Sequence, residues 1–260
     1  MRFDGRMSDA ERVADNPVVQ AGARLGYAVS GVMHLVIGLL GVRLAFGDPG
    51  TEADQSGAFR AMAQSPLGVV LLLVTVVGLG LLGVWQAAEA FVRHEAKDRL
   101  KAGSKAIGYF ALTATALGVL IGTGGSSQKS SQDATATMLS LPWGVPLVIV
   151  VGLVILGIGV FHVVKGARRT FRRDLAEEPP QGIIVLAVLG YVAKGAALAV
   201  VGGLFVQAAL TNDPEKAGGL DGALTAVLAL PLGVPLVGLV AAGFAAYGAY
   251  SFGRARWART

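Results

Sequence analysis

Six apolar runs dominate this chain of 260 residues, at about 22–46, 66–92, 104–123, 142–165, 182–210 and 231–253. A helix needs ~20 consecutive apolar residues to cross the hydrocarbon core of a bilayer. Within that core, only helices and closed barrels satisfy every backbone N–H and C=O. The runs therefore predict an all-α integral membrane protein with six transmembrane helices. Composition agrees, with 53% hydrophobic residues, 15% charged residues and a mean hydropathy of +0.61. A soluble domain carries about 25% charged residues. The 37 glycines suit close helix packing in lipid, and the lack of cysteine excludes disulfides, thiolate metal sites and cysteine nucleophiles.

Lysine and arginine in the connections set an expected orientation. The stretches before the first run, after the second, after the fourth and after the sixth hold 17 of them, with Arg24, Lys105 and Lys165 at the run edges counted in, against 3 (Arg60, Lys129, Lys216) in the other three loops. This bias predicts cytoplasmic termini. Residues 1–21 lack the short apolar core and small-residue cleavage site of a signal peptide and read as a cytoplasmic arm. The net charge of +5 is confined to one side, so it fits anionic lipid headgroups rather than nucleic acid.

The chain also repeats itself. Gly26-Tyr27, Gly108-Tyr109 and Gly190-Tyr191 open the odd-numbered runs, each pair 82 residues after the last. Pro66-Leu67-Gly68, Pro142-Trp143-Gly144 and Pro231-Leu232-Gly233 open the even-numbered runs, where proline at a first helical turn is a start signal. Nineteen residues after each proline stands an aromatic (Trp85, Phe161, Tyr250), and four further on a charge (Glu89, Lys165, Arg254). This register predicts three parallel two-helix repeats, at 22–92, 104–166 and 182–254, around a pseudo-threefold axis. Close approach is expected at Gly22/Gly26, Gly118/Gly122, Gly190/Gly195 and Gly238/Gly243.

These Gly-Tyr starts resemble a known family, as do Ser56-Gly57-Ala58 and Asp221-Gly222-Ala223-Leu224 ahead of their Pro-Leu-Gly and the ending Tyr247-Gly248-Ala249-Tyr250-Ser251-Phe252. The chain is similar, over about residues 20–256, to a family of bacterial, mostly actinobacterial, six-helix membrane proteins defined as a domain of unknown function in three tandem copies. Members carry a basic residue three after the tyrosine. Lys194 fits that pattern, while Ser30 and Leu112 depart from it. The resemblance implies architecture and plasma-membrane location, and no activity.

No catalytic or cofactor motif emerges. The stretch Gly122–Ser130 has Gln128 where a phosphate-binding loop needs glycine before its lysine, and His94-Glu95 lacks a second histidine four residues on. His34, ten residues inward from Arg24, stands about 15 Å along its helix, near the midplane. Ionisable groups inside a bilayer are functional candidates by default, so His34, Lys194 and Glu89 form the candidate intramembrane polar site. Lys194 lies shallow enough to snorkel to the headgroups, or else to pair inside with Glu89. No metal or cofactor is expected.

The leading expectation is a non-enzymatic six-helix bundle, structural, accessory or partner-binding. Its partners would be the lipid bilayer and other membrane proteins. The alternative is a small-solute or ion transporter or channel with a central line of His34 and Lys194.

Overall fold

The computed structural model describes residues 17–48, 50–92 and 95–257, so most of the N-terminal arm and His94 lie outside the described residues. The described residues form nine α-helices and two short 3-10 turns, with no strand among them. Six helices are long: α1 (Pro17–Ala45), α3 (Pro66–Val92), α4 (Ala96–Leu120), α6 (Gly144–Ala167), α7 (Gln181–Thr211) and α9 (Gly233–Trp257). Three are short: α2 (Gln55–Ala63), α5 (Ser127–Leu139) and α8 (Gly219–Leu228). Each repeat thus holds three helices, long-short-long, where the sequence predicts two. Ser127–Leu139 is mostly polar and was expected as loop; Ser126 caps it by accepting from the Lys129 N–H.

Five of the long helices are apolar enough to cross a membrane. The exception is α4, whose first ten residues include Lys97, Asp98, Arg99, Lys101 and Lys105. The long helices present bare apolar side chains outward, including Leu81, Trp85 and Leu239, each more than 60% exposed. Water would not tolerate a surface of this extent on a monomer.

Packing between long helices follows a rule. The second long helix of each repeat lies against the first long helix of the next: α3 on α4, α6 on α7, and α9 back on α1. All three pairs are antiparallel, as shown by contacts that run in opposite order: Gly80 with Thr113 and Gly83 with Phe110, Gly152 with Gly202 and Gly159 with Gly195, Gly31 with Gly248 and Gly38 with Ala241. Within a repeat, α7 and α9 pack broadly, α1 and α3 touch only lightly, and α4 and α6 scarcely meet. The α3–α4 pair is joined to the remainder mainly through α2: Phe59 and Met62 pack with Leu72 of α3, Ala116 of α4, and Val32 and Met33 of α1.

Two of these seams are built on small residues seven apart. In α6 and α7, Gly152 faces Gly202 and Gly159 faces Gly195. In α9 and α1, Ala241 faces Gly38 and Gly248 faces Gly31. A β-carbon on Gly195 or Gly202 would come within 2.6 Å of the opposing carbonyl oxygen, so the backbones approach as closely as glycine allows. Spacing of seven keeps contacts on one face over two helical turns. The expected pairs, four or five residues apart, place them differently: Gly26, Gly122 and Gly238 have open space where a β-carbon would go, and Gly118 touches only the turn at Gly124. Gly190 and Gly243 do lie at a close contact, against Tyr247 and Ala193 across α7 and α9.

The Pro-x-Gly motif is a corner between a short helix and a long one. Pro66 is the first residue of α3, whereas Pro142 and Pro231 sit in the turn, and the helices begin at Gly144 and Gly233. A β-carbon on Gly68, Gly144 or Gly233 would strike the carbonyl of Met62, Met138 or Leu228, at the end of the preceding short helix. The motif's glycine lets that last turn abut the new helix.

The candidate functional site

One end of the bundle carries the basic connections, and the other carries the three short helices; these are called the basic and the capped end. His34 of α1 is buried, 5% exposed. Its Nδ1 is 2.7 Å from the Ser30 carbonyl, which can only accept, so Nδ1–H donates. Nε2 is therefore the acceptor, and the Lys194 ammonium of α7 donates to it at 3.1 Å. The two residues come from the two helices packed on α9, whose Tyr247 lies against both: its ring centre is 4.7 Å from the imidazole and 4.6 Å from the Lys194 nitrogen. Phe244, one turn before Tyr247, stacks on His34 at 6.0 Å. The chemistry is that of a neutral imidazole tied to a cation in an aromatic setting.

Lys194 thus turns to His34 rather than running out to the headgroup level. Glu89 stands half-buried near the basic end of α3, the helix whose partner is α4. Sequence reasoning grouped His34 and Lys194 with Glu89 in one candidate site, but it gave Lys194 the headgroups or Glu89 as partner, not His34. His34 and Lys194 are 160 residues apart, and they hold inequivalent places in the repeat, seven and three after their tyrosines.

Towards the basic end the cluster continues as packed rings. Tyr191 meets Tyr247 edge-on at 5.2 Å, Phe171 stacks on Tyr191 at 5.5 Å, and Tyr250 is fully buried among them. The repeat tyrosines meet cations from the preceding repeat. Arg254 lies 4.2 Å from the Tyr27 ring centre and donates to its hydroxyl, and Lys165 lies 5.5 Å from the Tyr191 ring centre. Arg254 and Lys165 are equivalent residues in the register, and so are Tyr27 and Tyr191. Glu89 and Tyr109 hold the third such place. Among the glycines before these tyrosines, Gly190 is pressed on Tyr247, and Gly26 and Gly108 meet open space.

A second polar node, at the capped end, was not anticipated. Asp54 caps α2 by accepting from the Gly57 N–H, and it also accepts from the Ser56 hydroxyl. The Ser127 N–H, at the start of α5, donates to Ser56. Asp221 of α8 accepts from the Ala53 N–H at 2.8 Å, and Gln132 of α5 donates to the Glu215 carbonyl just before α8. The three short helices are so tied to one another in pairs, closing the capped end. Burial pushes the Asp221 carboxyl up; the Ala53 N–H opposes the rise, and Asp54 and Glu52 add to it. The signal was present in Ser56-Gly57-Ala58 and Asp221-Gly222-Ala223, but it read as a repeat mark rather than as a latch.

Among the described residues, no group of three or more His, Asp or Glu side chains is placed to hold a metal ion. Long apolar helices in tandem copies, with an apolar exterior, define a helical protein of membrane-spanning type. The chain belongs to the family described as Domain of Unknown Function (DUF1206), which matches it three times in tandem, over residues 25–93, 100–169 and 189–258. It is similar to an uncharacterized protein, YxxB, of Bacillus subtilis (strain 168), with 28% identity over 250 residues covering 90% of each chain. No solved structure matches it.

Proposed function

We propose that this protein is a non-enzymatic bundle of the plasma membrane, structural, accessory or partner-binding, with six spans, both termini cytoplasmic, and three repeats around a pseudo-threefold axis normal to the bilayer. The observation that carries the architecture is the head-to-tail packing of α3 on α4, α6 on α7 and α9 on α1. A rule obeyed three times, with the last repeat returning to the first, supports a ring, one that is loosely joined where α1 meets α3 and α4 meets α6. The equivalent pairs Arg254–Tyr27 and Lys165–Tyr191 support it, as do the equivalent glycine seams. In this reading α4 is the sixth span, its basic first turns standing in the cytoplasmic headgroup layer.

The bundle role rests on the buried His34 being satisfied within the protein. His34 spends both nitrogens on Ser30 and Lys194, and the α6–α7 and α9–α1 seams are glycine-tight. The transport alternative draws on the same His34–Lys194 pair, because an ionisable pair at depth marks ion pathways in membrane proteins. Proton and ion flux in proteoliposomes separates the two. The bundle reading predicts no flux above protein-free vesicles. A reproducible flux that disappears in His34→Leu would establish the transport reading instead.

A further inference from the structure

The repeat register makes the α7–α9 seam a standard for the seam that stays apart in the second repeat. In the third repeat, Gly190 presses on Tyr247 and Gly243 on Ala193, and Tyr247 and Tyr250 are buried. Their equivalents in the second repeat are Gly108, Ala111, Val154, Ile158 and Phe161, from α4 and α6. None of these closes the seam. Gly108 has open space where a β-carbon would go, and Ala111 is exposed. Ile158 is 44% exposed where Tyr247 is 7%, and Phe161 is 60% exposed where Tyr250 is 0%. By register, then, α4 and α6 flank a crevice with small residues on one wall and large apolar ones on the other.

The two ends of this crevice differ. At the capped end it has a floor: α5 packs on α6, and its Ser127 N–H bonds Ser56 of α2, which packs on α4. At the basic end it is topped by cations. The first ten residues of α4 carry Lys97, Arg99, Lys101 and Lys105 against the single acid Asp98. Lys101 and Lys105 stand seven and three residues before Gly108, spacings that keep them on its face of the helix. Helical rise puts them about 10 and 5 Å beyond it, towards the headgroups. Both are exposed, and none of the ion pairs between described residues includes either of them.

An apolar slot within the bilayer, floored at one end and cationic at the other, has the polarity of a phospholipid. A chain lying between two walls gains van der Waals contact that a single helix face does not offer. A second copy of this protein fits the slot less well. Sharing the same orientation in the membrane, it would bring its own basic end to the level of Lys101 and Lys105, and like charges set against each other oppose association. We infer that the α4–α6 crevice binds one anionic phospholipid, with an acyl chain between Gly108–Ala111 and Ile158–Phe161 and the phosphate at Lys101 and Lys105. The inference rests on the reading of α4 as a membrane span and holds for a bundle or a transporter alike.

The test uses the full chain in a mild uncharged detergent. Native mass spectrometry counts retained phosphatidylglycerol against phosphatidylcholine at fixed ionic strength. Wild type is expected to keep one phosphatidylglycerol in preference. Lys101→Gln and Lys105→Gln should each weaken that retention roughly fivefold, the worth of one cation beside an anionic headgroup. Gly108→Leu fills the slot from an open position, so it should displace the lipid without lowering the melting temperature. Lys129→Gln, exposed at the capped end, should change nothing. Ala111→Cys, oxidised in membranes, should give no dimer. Alkaline extraction of the same membranes reports the spanning architecture separately: protein that washes out contradicts the six-span reading and the lipid site with it. Where the protein stays in the membrane, three results overturn the lipid site alone. They are a wild type with no preference for phosphatidylglycerol, lysine variants and Gly108→Leu that retain it as wild type does, or Ala111→Cys chains joined in pairs.

Discussion

Asp221 and Ala53 join the third repeat to the first at the capped end, and this bond makes a residue-level prediction possible. The folded state raises the Asp221 pKa, chiefly through burial. An acid with a raised folded pKa binds its proton more tightly when folded. Its contribution is fully present below the unfolded pKa and is lost as pH rises through the folded pKa. Asp221→Asn keeps an oxygen to accept from Ala53 and removes the repulsion from Asp54 and Glu52. The variant is expected to melt no lower than wild type at pH 7.5, with any advantage shrinking as the pH is lowered towards 4.5. A variant less stable at pH 7.5, with the gap closing on acidification, would contradict this account of the latch. Asp221→Ala removes the acceptor altogether and should cost about 1–3 kcal/mol, the penalty of an orphaned buried N–H. Thermal melts across pH in one detergent check both variants.

At the scale of helices, the long elements were legible because hydropathy alone picks out runs that cross a bilayer. The short ones were not. Ser127–Leu139 lacks an apolar run, and Gln55–Ala63 is far too short to span, so both read as loop; their helical state depends on caps and on contact with the long helices. The glycine seams were half legible: the wealth of glycine said that helices approach closely, but pairs four or five apart were sought where the contacts recur every seven. This difference can be tested directly. Gly159→Ala would place a β-carbon 2.7 Å from the Gly195 oxygen and the Ala199 nitrogen, and it should destabilise the α6–α7 pair by about 1–3 kcal/mol. Gly26→Ala and Gly108→Ala meet nothing within 4 Å. They should be neutral or stabilising, by up to about 1 kcal/mol from helix propensity. Equal losses at all three sites would show that the seam does not lie where Gly159 and Gly195 put it. Of the candidate site, the grouping of His34 with Lys194 was legible in the sequence and their direct hydrogen bond was not. His34–Lys194 is a contact between inequivalent positions, which repeat register cannot pair.

For the whole molecule, the reading is a ring of three repeats, sealed by short helices at one end and basic at the other. The proposed orientation predicts that cysteine introduced at Ser127, at the start of α5, reacts with an impermeant thiol reagent in intact cells while cysteine at Ser104 in α4 does not. The reverse pattern would invert the protein in the membrane. The native chain has no thiol to confuse the labelling. The central claim is the closure of the ring, and the contact between α9 and α1 tests it best because it joins the last long helix to the first. A β-carbon on Gly41 would lie 3.0 Å from that of Ala241, so a parting of the helices by about half an ångström reaches the ~3.5–4.5 Å that a disulfide requires. The measurement is oxidative cross-linking of the Gly41→Cys, Ala241→Cys double variant in membranes, followed by cleavage at a protease site placed in the connection between α6 and α7. The account predicts a disulfide within one molecule, so that the two fragments stay together until a reductant is added. Fragments that separate without reductant, or cross-links found only between two molecules, would contradict it.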